Sequence, residues 1–242
     1  MKYSIIIPTL NEEKLLPNLL NQLKQVKESG EFEIEIVISD GGSIDGTLLL
    51  AVNRADKIIG REINTKNSIS SGRNNGARVS SGEILVFVNA DILFEDIFRF
   101  FRFLDESFRD SENIAMTTKV KIFPEEEILT DKIFHGFYNY YFFLLNKLSY
   151  GMGRGECQVV KREFFEMVNG YNPELIAGED FDLFKRLKRK GKILFELSLT
   201  VYESPRRFRK YGYSAITLEW LKNALAIIVR NRSISKVWEQ VR

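Results

Sequence analysis

The hexapeptide VFVNAD (86–91) closes an apolar run on an amide and a carboxylate, groups that a buried strand does not need. In isolation Asn89 and Asp91 fit a turn or a helix cap, the commonest work for these residue types. Two other apolar runs end in the same way: Thr9 closes SIIIPT and Asp40 closes IEIVISD. Brought to one place, such oxygens could hold a hard divalent cation or accept N–H groups from a ligand.

A parallel sheet would bring them together. The runs 3–7, 34–40, 57–60 and 83–91 read as strands, and the stretches between them as helices. In the first helix Leu15, Leu16, Leu19, Leu20, Leu23 and Val26 share one face; Asn11 would cap it, and Pro17 would bend it or delay its start. SGRNNGARVSSG reads as mostly helix, its small residues allowing close packing on a sheet. Strands joined by helices imply a parallel sheet covered on both faces, with ligands bound beyond the carboxyl ends of the strands. Thr9, Asp40 and Asp91 then meet at one sheet edge.

The second half is less regular. A strand is expected at 116–123, an aromatic-rich helix at 131–148, and a strand entering a helix in CQVVKREFFEMVNGY. GEDFDLFKRLKRKGK reads as a helix with Phe181, Phe184 and Leu187 on one side, ended by Gly191. A strand runs to Pro205, and an amphipathic helix covers roughly 214–231. No repeat, low-complexity tract or linker interrupts the chain. The expectation is a single compact α/β domain with a mixed, mainly parallel central sheet flanked by helices.

Composition excludes several classes. With 44% apolar and 28% charged residues the 242-residue chain should fold, and a net charge of +2 gives no case for a nucleic-acid partner. From Val201 onward nine Lys/Arg oppose three Glu, so this end is locally basic. The lone Cys157 and the lack of zinc-ligand spacing fit a reducing cytoplasm. MKYSIIIPTLNEE lacks the apolar length of a signal peptide, and IFHGFYNYYFFLLNKL, broken by His135, Asn139 and Asn146, is too short to span a bilayer. A cytoplasmic protein that touches a membrane peripherally is the expectation.

Four stretches, SIIIPTLNEE, VISDGGSIDGT, GRNNGARVSSGEILVFVNAD and GYNPELIAGEDFDLFKRL, follow one another in an order that resembles the family 2 glycosyltransferases, nucleotide-sugar enzymes of the GT-A fold. The resemblance covers most of the chain. It departs at Asn89, an amide where many members carry the first carboxylate of an Asp-x-Asp element, and in lacking a downstream metal-binding His, since His135 is the only histidine.

The resemblance implies inverting transfer of a sugar from a UDP- or GDP-linked donor to an acceptor hydroxyl or phosphate, assisted by Mn²⁺ or Mg²⁺. Asp91 would bind the metal. Asn89 would bind it through water, contact ribose or simply turn the chain. Asp40 would accept a base N–H or close an Asx turn. Pro8 would shape the turn from which Thr9 and Glu12 contact base and ribose, and Asp45 would fix the following loop. Arg73 would reach the diphosphate, stack on the base or lie solvated at the surface. Asp180 would be the general base, with Glu179 orienting the acceptor or its own loop and Asp182 the second choice of base. Arg206 and Arg207 would fold over the diphosphate or remain a solvated charge run. Residues 1–121 would form the donor half and 122–242 the acceptor half. Phe134, Phe137, Tyr138, Tyr140, Tyr141, Phe142 and Phe143 would pack that half, line an apolar groove for a polyprenyl-phosphate or glycolipid acceptor, or touch lipid with the help of the basic tail, a carbohydrate being the other acceptor class.

A P-loop phosphotransferase, a dinucleotide oxidoreductase, a sugar-nucleotidyltransferase and a silent binding protein are the rival readings. A sugar-nucleotidyltransferase would carry a glycine-rich basic loop where PTLNEE stands, and neither G-x-x-x-x-G-K-[ST] nor G-x-G-x-x-G occurs. A catalytically silent nucleotide-sugar-binding partner is the reading that Asn89 keeps open.

Overall fold

Tyr3 to Ile7 are buried without a break, which suits β1 (Lys2–Thr9) to the middle of a sheet rather than its edge. The computed structural model describes residues 1–61, 68–230 and 232–234. In chain order β1 is followed by α1 (Leu16–Ser29), β2 (Glu33–Asp40), α2 (Thr47–Val52), β3 (Lys57–Ile59), α3 (Ile69–Val79), β4 (Ile84–Val88) and β5 (Ile92–Phe94). Then come α4 (Ile97–Phe103, continued by a π-turn to Phe108), β6 (Asn113–Ile122), α5 (Leu129–Lys147), β7 (Cys157–Lys161) and α6 (Arg162–Met167). The chain closes with α7 (Glu179–Lys188), β8 (Lys192–Glu203), α8 (Arg206–Tyr211) and α9 (Tyr213–Arg230).

All eight strands join one sheet in the order β3-β2-β1-β4-β7-β6-β8-β5. β1 pairs in parallel with β2 and β4, β2 with β3, and β6 with β8, whereas β7 and β5 run against their neighbours. Six strands therefore point one way, and the sheet is mixed but mainly parallel. Alternate residues of β1 feed two cores. Ile5 and Ile7 meet the α1 row Leu16, Leu19, Leu20 and Leu23 together with Phe100 and Phe101. Ile6 faces the other side, with Ala77, Phe87, Phe165, Leu183 and Phe184.

The sheet cannot be flat. β4 and β5 are joined by Asn89, Ala90 and Asp91 alone, yet β7, β6 and β8 lie between them in the hydrogen-bonded order. Four strand spacings amount to about 19 Å. The chain from Val88 to Ile92 reaches at most about 14 Å. The sheet must curl so that the end of β8 returns over the end of β4.

Several boundaries differ from the sequence expectation. Asn11 does not cap α1; it sits in the left-handed region (φ 54°), where its side-chain oxygen accepts from the Ile44 N–H at 2.8 Å. α1 starts later, at Leu16, with Pro17 in the first turn where its missing N–H costs nothing. The strand expected to reach residue 91 ends at Val88, which leaves Asn89 and Asp91 in the link. α7 ends at Lys188, before Gly191. Asp45 does fix its loop, accepting from the Thr47 and Glu13 N–H groups. Of the helix expected at 214–231, residue 231 lies outside the described residues, as does most of the basic end beyond it.

α3 crosses β1 closely at Gly76, where a Cβ would stand 2.4 Å from Cγ2 of Ile6. Overpacking of this kind costs about 1–3 kcal/mol. Gly76→Ala should therefore lower the unfolding midpoint by about 2–12 °C in a thermal melt. Gly60→Ala, which meets nothing within 4 Å, should leave it unchanged.

Candidate active site

A cleft of about 1480 Å³ opens over the carboxyl ends of β1, β2 and β4 and the end of β8. All eleven residues singled out from the sequence line it. What each does there differs from residue to residue.

Asp40, at the end of β2, is almost fully buried. One carboxylate oxygen accepts from the Gly42 and Ser43 N–H groups at 2.9 and 2.8 Å, and the other from the Thr9 hydroxyl at 3.2 Å and the Ser43 hydroxyl. Its four acceptor positions are thus filled by the protein, the loop-closing arrangement that the sequence offered beside base recognition. Pro8 stands in register with Ser39, beyond the last β1–β4 pair at Ile6 and Phe87, so no ladder bond on that side lacks a donor.

Arg73 is not a solvated surface residue: it is completely buried in α3. Its guanidinium donates to Glu179 at 3.0 Å, to the Asn89 side-chain oxygen at 2.9 Å and to the Gly155 carbonyl at 2.6 Å, and lies over the Tyr171 ring at 5.2 Å. This occupies the Asn89 carbonyl that the sequence reading had offered to a metal-bound water; the amide N–H₂ of Asn89 still lies at the cleft. Glu179 is likewise committed to Arg73, an arrangement that steadies its own loop. Removing one member of such a buried pair strands the other charge, at about 3–5 kcal/mol.

Across the cleft, one Arg206 nitrogen bridges Glu12, at 2.9 and 3.0 Å, and Asp91, at 3.1 Å. Curling makes this contact: Ile92 is paired with Glu203, three residues before Arg206. Burial raises the Asp91 carboxyl above the usual range against the opposing charge of Arg206. Arg207 turns the other way, to Glu219 at 3.3 Å. Among the described residues no three His, Cys, Asp or Glu side chains converge as a metal site.

Asp180 is the second residue of α7, after Gly178 in the left-handed conformation. Burial, reinforced by the neighbouring Glu179 charge, pushes its carboxyl up to about 7, against the Phe181 N–H bond and Arg73. A carboxyl poised there can take a proton near neutral pH. Asp182 cannot play this part, because Arg186 holds it at 2.9 and 2.6 Å.

A second ionic cluster had no sequence signal. Arg154, buried in the loop before β7, bonds Glu156 at 3.1 and 3.3 Å and Glu203 at 3.3 Å. Burial raises both carboxyls, but Arg154 outweighs it at Glu156, whose pKa falls, whereas Glu203 is left well above the usual range. His135 lies 3.6 Å from Glu203 and is pushed down to about 3 by burial and by Arg154, so it is neutral. One side of the cleft is largely apolar. Phe137, Tyr141 and Phe142 of α5 face Trp220, Leu221 and Leu225 of α9 across it.

Known proteins agree with this architecture. The mannosyltransferase PcManGT of Pyrobaculum calidifontis, solved with GDP-Man and Mn²⁺, superposes with a TM-score of 0.69 at 18% identity, over 99% of this chain and 65% of its own. Staphylococcus aureus TarS (1–349), solved with UDP-GlcNAc, gives a TM-score of 0.62 at 20% identity over 98% and 68%. These likenesses are of fold, and the fold is GT-A. In sequence, the uncharacterized glycosyltransferase YfnE of Bacillus subtilis (strain 168) is 40% identical over 95 residues, 38% of this chain and 24% of YfnE. The chain therefore spans about a quarter of that relative's length. The profile of Glycosyl transferase family 2 matches residues 4–168, most of the chain, and the chain belongs to that family.

Proposed function

We propose that the protein is an inverting glycosyltransferase that moves a sugar from a UDP- or GDP-linked donor to an acceptor hydroxyl or phosphate. The observation that carries this reading is Asp180, a carboxyl raised to about 7 in the same cleft as Asp91 and Arg206. Residues 1–121 hold the donor. Thr9 and the Asn89 amide face nucleoside and ribose, and rotation of the Thr9 hydroxyl off Asp40, its longest bond, frees one carboxylate lone pair for a base N–H. Arg206, released from Glu12 and Asp91, neutralises the diphosphate, with Arg207 behind it. Arg73 acts at one remove, holding Glu179 and Asn89 in place.

The residues fit a divalent cation. Eight carboxyl groups and six basic side chains line the cleft, and a Mn²⁺ or Mg²⁺ ion would favour the charged form of those that burial holds protonated. Asp91 would supply one protein ligand and the donor phosphates others, the usual economy of such sites. When bound, the ion neutralises the charge that develops on the leaving nucleotide. The PcManGT structure with GDP-Man and Mn²⁺ supports this reading.

In the transfer itself, the acceptor oxygen bonds to the anomeric carbon as the bond to the nucleotide diphosphate breaks on the opposite face. Asp180 takes the proton of an acceptor hydroxyl, whereas an ionised acceptor phosphate attacks with no proton to give up. The apolar side of the cleft, between α5 and α9, suits a polyprenyl-phosphate or glycolipid acceptor better than a free carbohydrate. The protein then works as a cytoplasmic enzyme at the inner face of a membrane.

Asp180→Asn should keep nucleotide binding and lose about 10²–10⁴ in transfer rate. The wild-type rate should rise with pH through about 7 and then level, because the base must be deprotonated. A variant that retains the wild-type rate and acid limb would remove Asp180 from this role. Thermal melts with UDP, GDP, CDP and dTDP, with and without Mn²⁺, test the donor site. At ~100 times its dissociation constant one nucleotide should add about 2.7 kcal/mol, and only with metal. No shift with any of the four would sink the donor assignment. Arg206→Ala should tighten Mn²⁺ binding by the nucleotide-free protein, read by EPR of the free ion, since the arginine competes for Asp91. Unchanged or weaker binding would show that Asp91 does not meet the metal.

A further inference from the structure

Helix α5 is built inside out. Its buried row is polar, with Asp131, His135, Asn139 and Asn146 at helical spacing. Its exposed row is apolar: Leu129, Ile133, Phe137, Tyr140, Leu144 and Leu148, with Tyr141 beside Tyr140. Ile133, Tyr140 and Leu144 are 64%, 67% and 54% exposed. A surface helix of a water-soluble domain normally shows the reverse.

The polar row explains how such a helix stays in place. The Asn139 amide donates to the Val120 carbonyl at 2.8 Å and accepts from the Val120 N–H at 3.1 Å, which ties α5 to β6. Arg209 donates to both oxygens of Asp131, at 2.9 and 2.6 Å. Asn146 exchanges two bonds with the Met152 backbone, at 2.8 and 2.7 Å. Directed bonds anchor the helix, so its apolar stripe is not spent on the core.

α9 continues the surface. Its Trp220 meets Tyr138 and Phe134 of α5, with ring centroids 5.4 and 5.9 Å apart. Leu218, Leu221, Leu225 and Val229 then form a second exposed apolar row. The exposed charges around these rows are mostly basic. Lys132, Lys147, Lys222 and Arg230 are exposed, while Asp131 is buried under Arg209 and Glu219 is bonded to Arg207. The acids Glu125, Glu126 and Glu127 stand in the turn before α5, and Glu127 pairs with Lys132 at 3.8 Å. Phe137, Tyr141, Leu221 and Leu225 belong both to this surface and to the cleft, so apolar surface runs unbroken from one to the other.

We propose that the outer faces of α5 and α9 dock on an anionic lipid bilayer, with the apolar rows in the headgroup region and the lysines on the anionic charge. Interfacial binding needs these two ingredients, and no described helix is long and apolar enough to cross the bilayer instead. A second copy is the alternative that the flotation test separates, since Glu125 and Glu126 would face cations of the partner copy in a self-complementary contact. The docking rests on the glycosyltransferase reading only for what the lipid delivers: an acceptor whose tail stays in the membrane while its head enters the cleft.

Flotation of the whole chain with phosphatidylcholine vesicles, with and without phosphatidylglycerol, tests the surface. The protein should float with the anionic vesicles, and the fraction bound should fall with added salt. Ile133→Gln combined with Tyr140→Gln and Leu144→Gln changes exposed residues outside the cleft, and should cut that fraction at least about fivefold. Lys147→Glu with Lys222→Glu should act in the same direction. Absence of wild-type flotation, or equal flotation of the triple variant, would overturn the proposal. So would a dimer in sedimentation velocity that the triple variant abolishes while wild-type protein does not float. Nucleotide-induced thermal shifts on the same samples separate the two readings: a shift without flotation sinks the docking alone, and flotation without a shift sinks the donor site alone.

Discussion

The link Asn89-Ala90-Asp91 is the constraint on which the rest of the site depends. It is too short to cross a flat sheet to the strand it must reach, so the sheet curls, and β8 ends above β4. That closure sets Arg206 against Asp91 and Glu12, and lays α8 and α9 along the cleft that the strand ends open. The polar groups at the carboxyl ends of β1, β2 and β4 would otherwise face open water. Enclosed on the far side, they work in a medium where each charge weighs more.

Burial on this scale demands compensation, and two buried arginines provide much of it. Arg73 serves three elements at once: Asn89 after β4, Gly155 before β7 and Glu179 at the start of α7. Arg154 does the same for Glu156 and Glu203. With these pairs closed, Asp180 is left, among the described residues, with a backbone N–H but no cation of its own, and its carboxyl rises. The base is thus poised by what its neighbours have already claimed. Charge held in place before a substrate arrives needs no reorganisation during reaction.

Much of this was legible in the chain itself. The apolar runs that end on Thr9, Asp40 and Asn89-x-Asp91 mark strand ends because a buried strand has no other use for such groups. The row Leu16, Leu19, Leu20, Leu23 and Val26 marks a helix face by its spacing alone. Asn11 misled because the pattern that caps a helix also closes a loop; the Ile44 N–H, distant in sequence, decided between them. Arg73 was seen as a site residue but not as a strut, since its three acceptors come from separate parts of the chain. Arg154, Glu156 and Glu203 went unnoticed because they carry no spacing at all. In α5 the aromatic richness was plain, but not which face turned inward.

The sequence by itself determined the alternation of strands and helices in the first half, though not β5, α4 or α8, together with the polar groups at strand ends and the motifs that mark the family. Those properties are local, set by side-chain periodicity and backbone preference within a few residues. Only the tertiary structure decided which groups are engaged. Asp182 is held by Arg186 while Asp180, two positions earlier, has no such partner, and Glu12 meets an arginine 194 residues away. A carboxylate's reactivity depends on its desolvation and on the charges beside it, and both are fixed by parts of the chain that meet only when the sheet has curled.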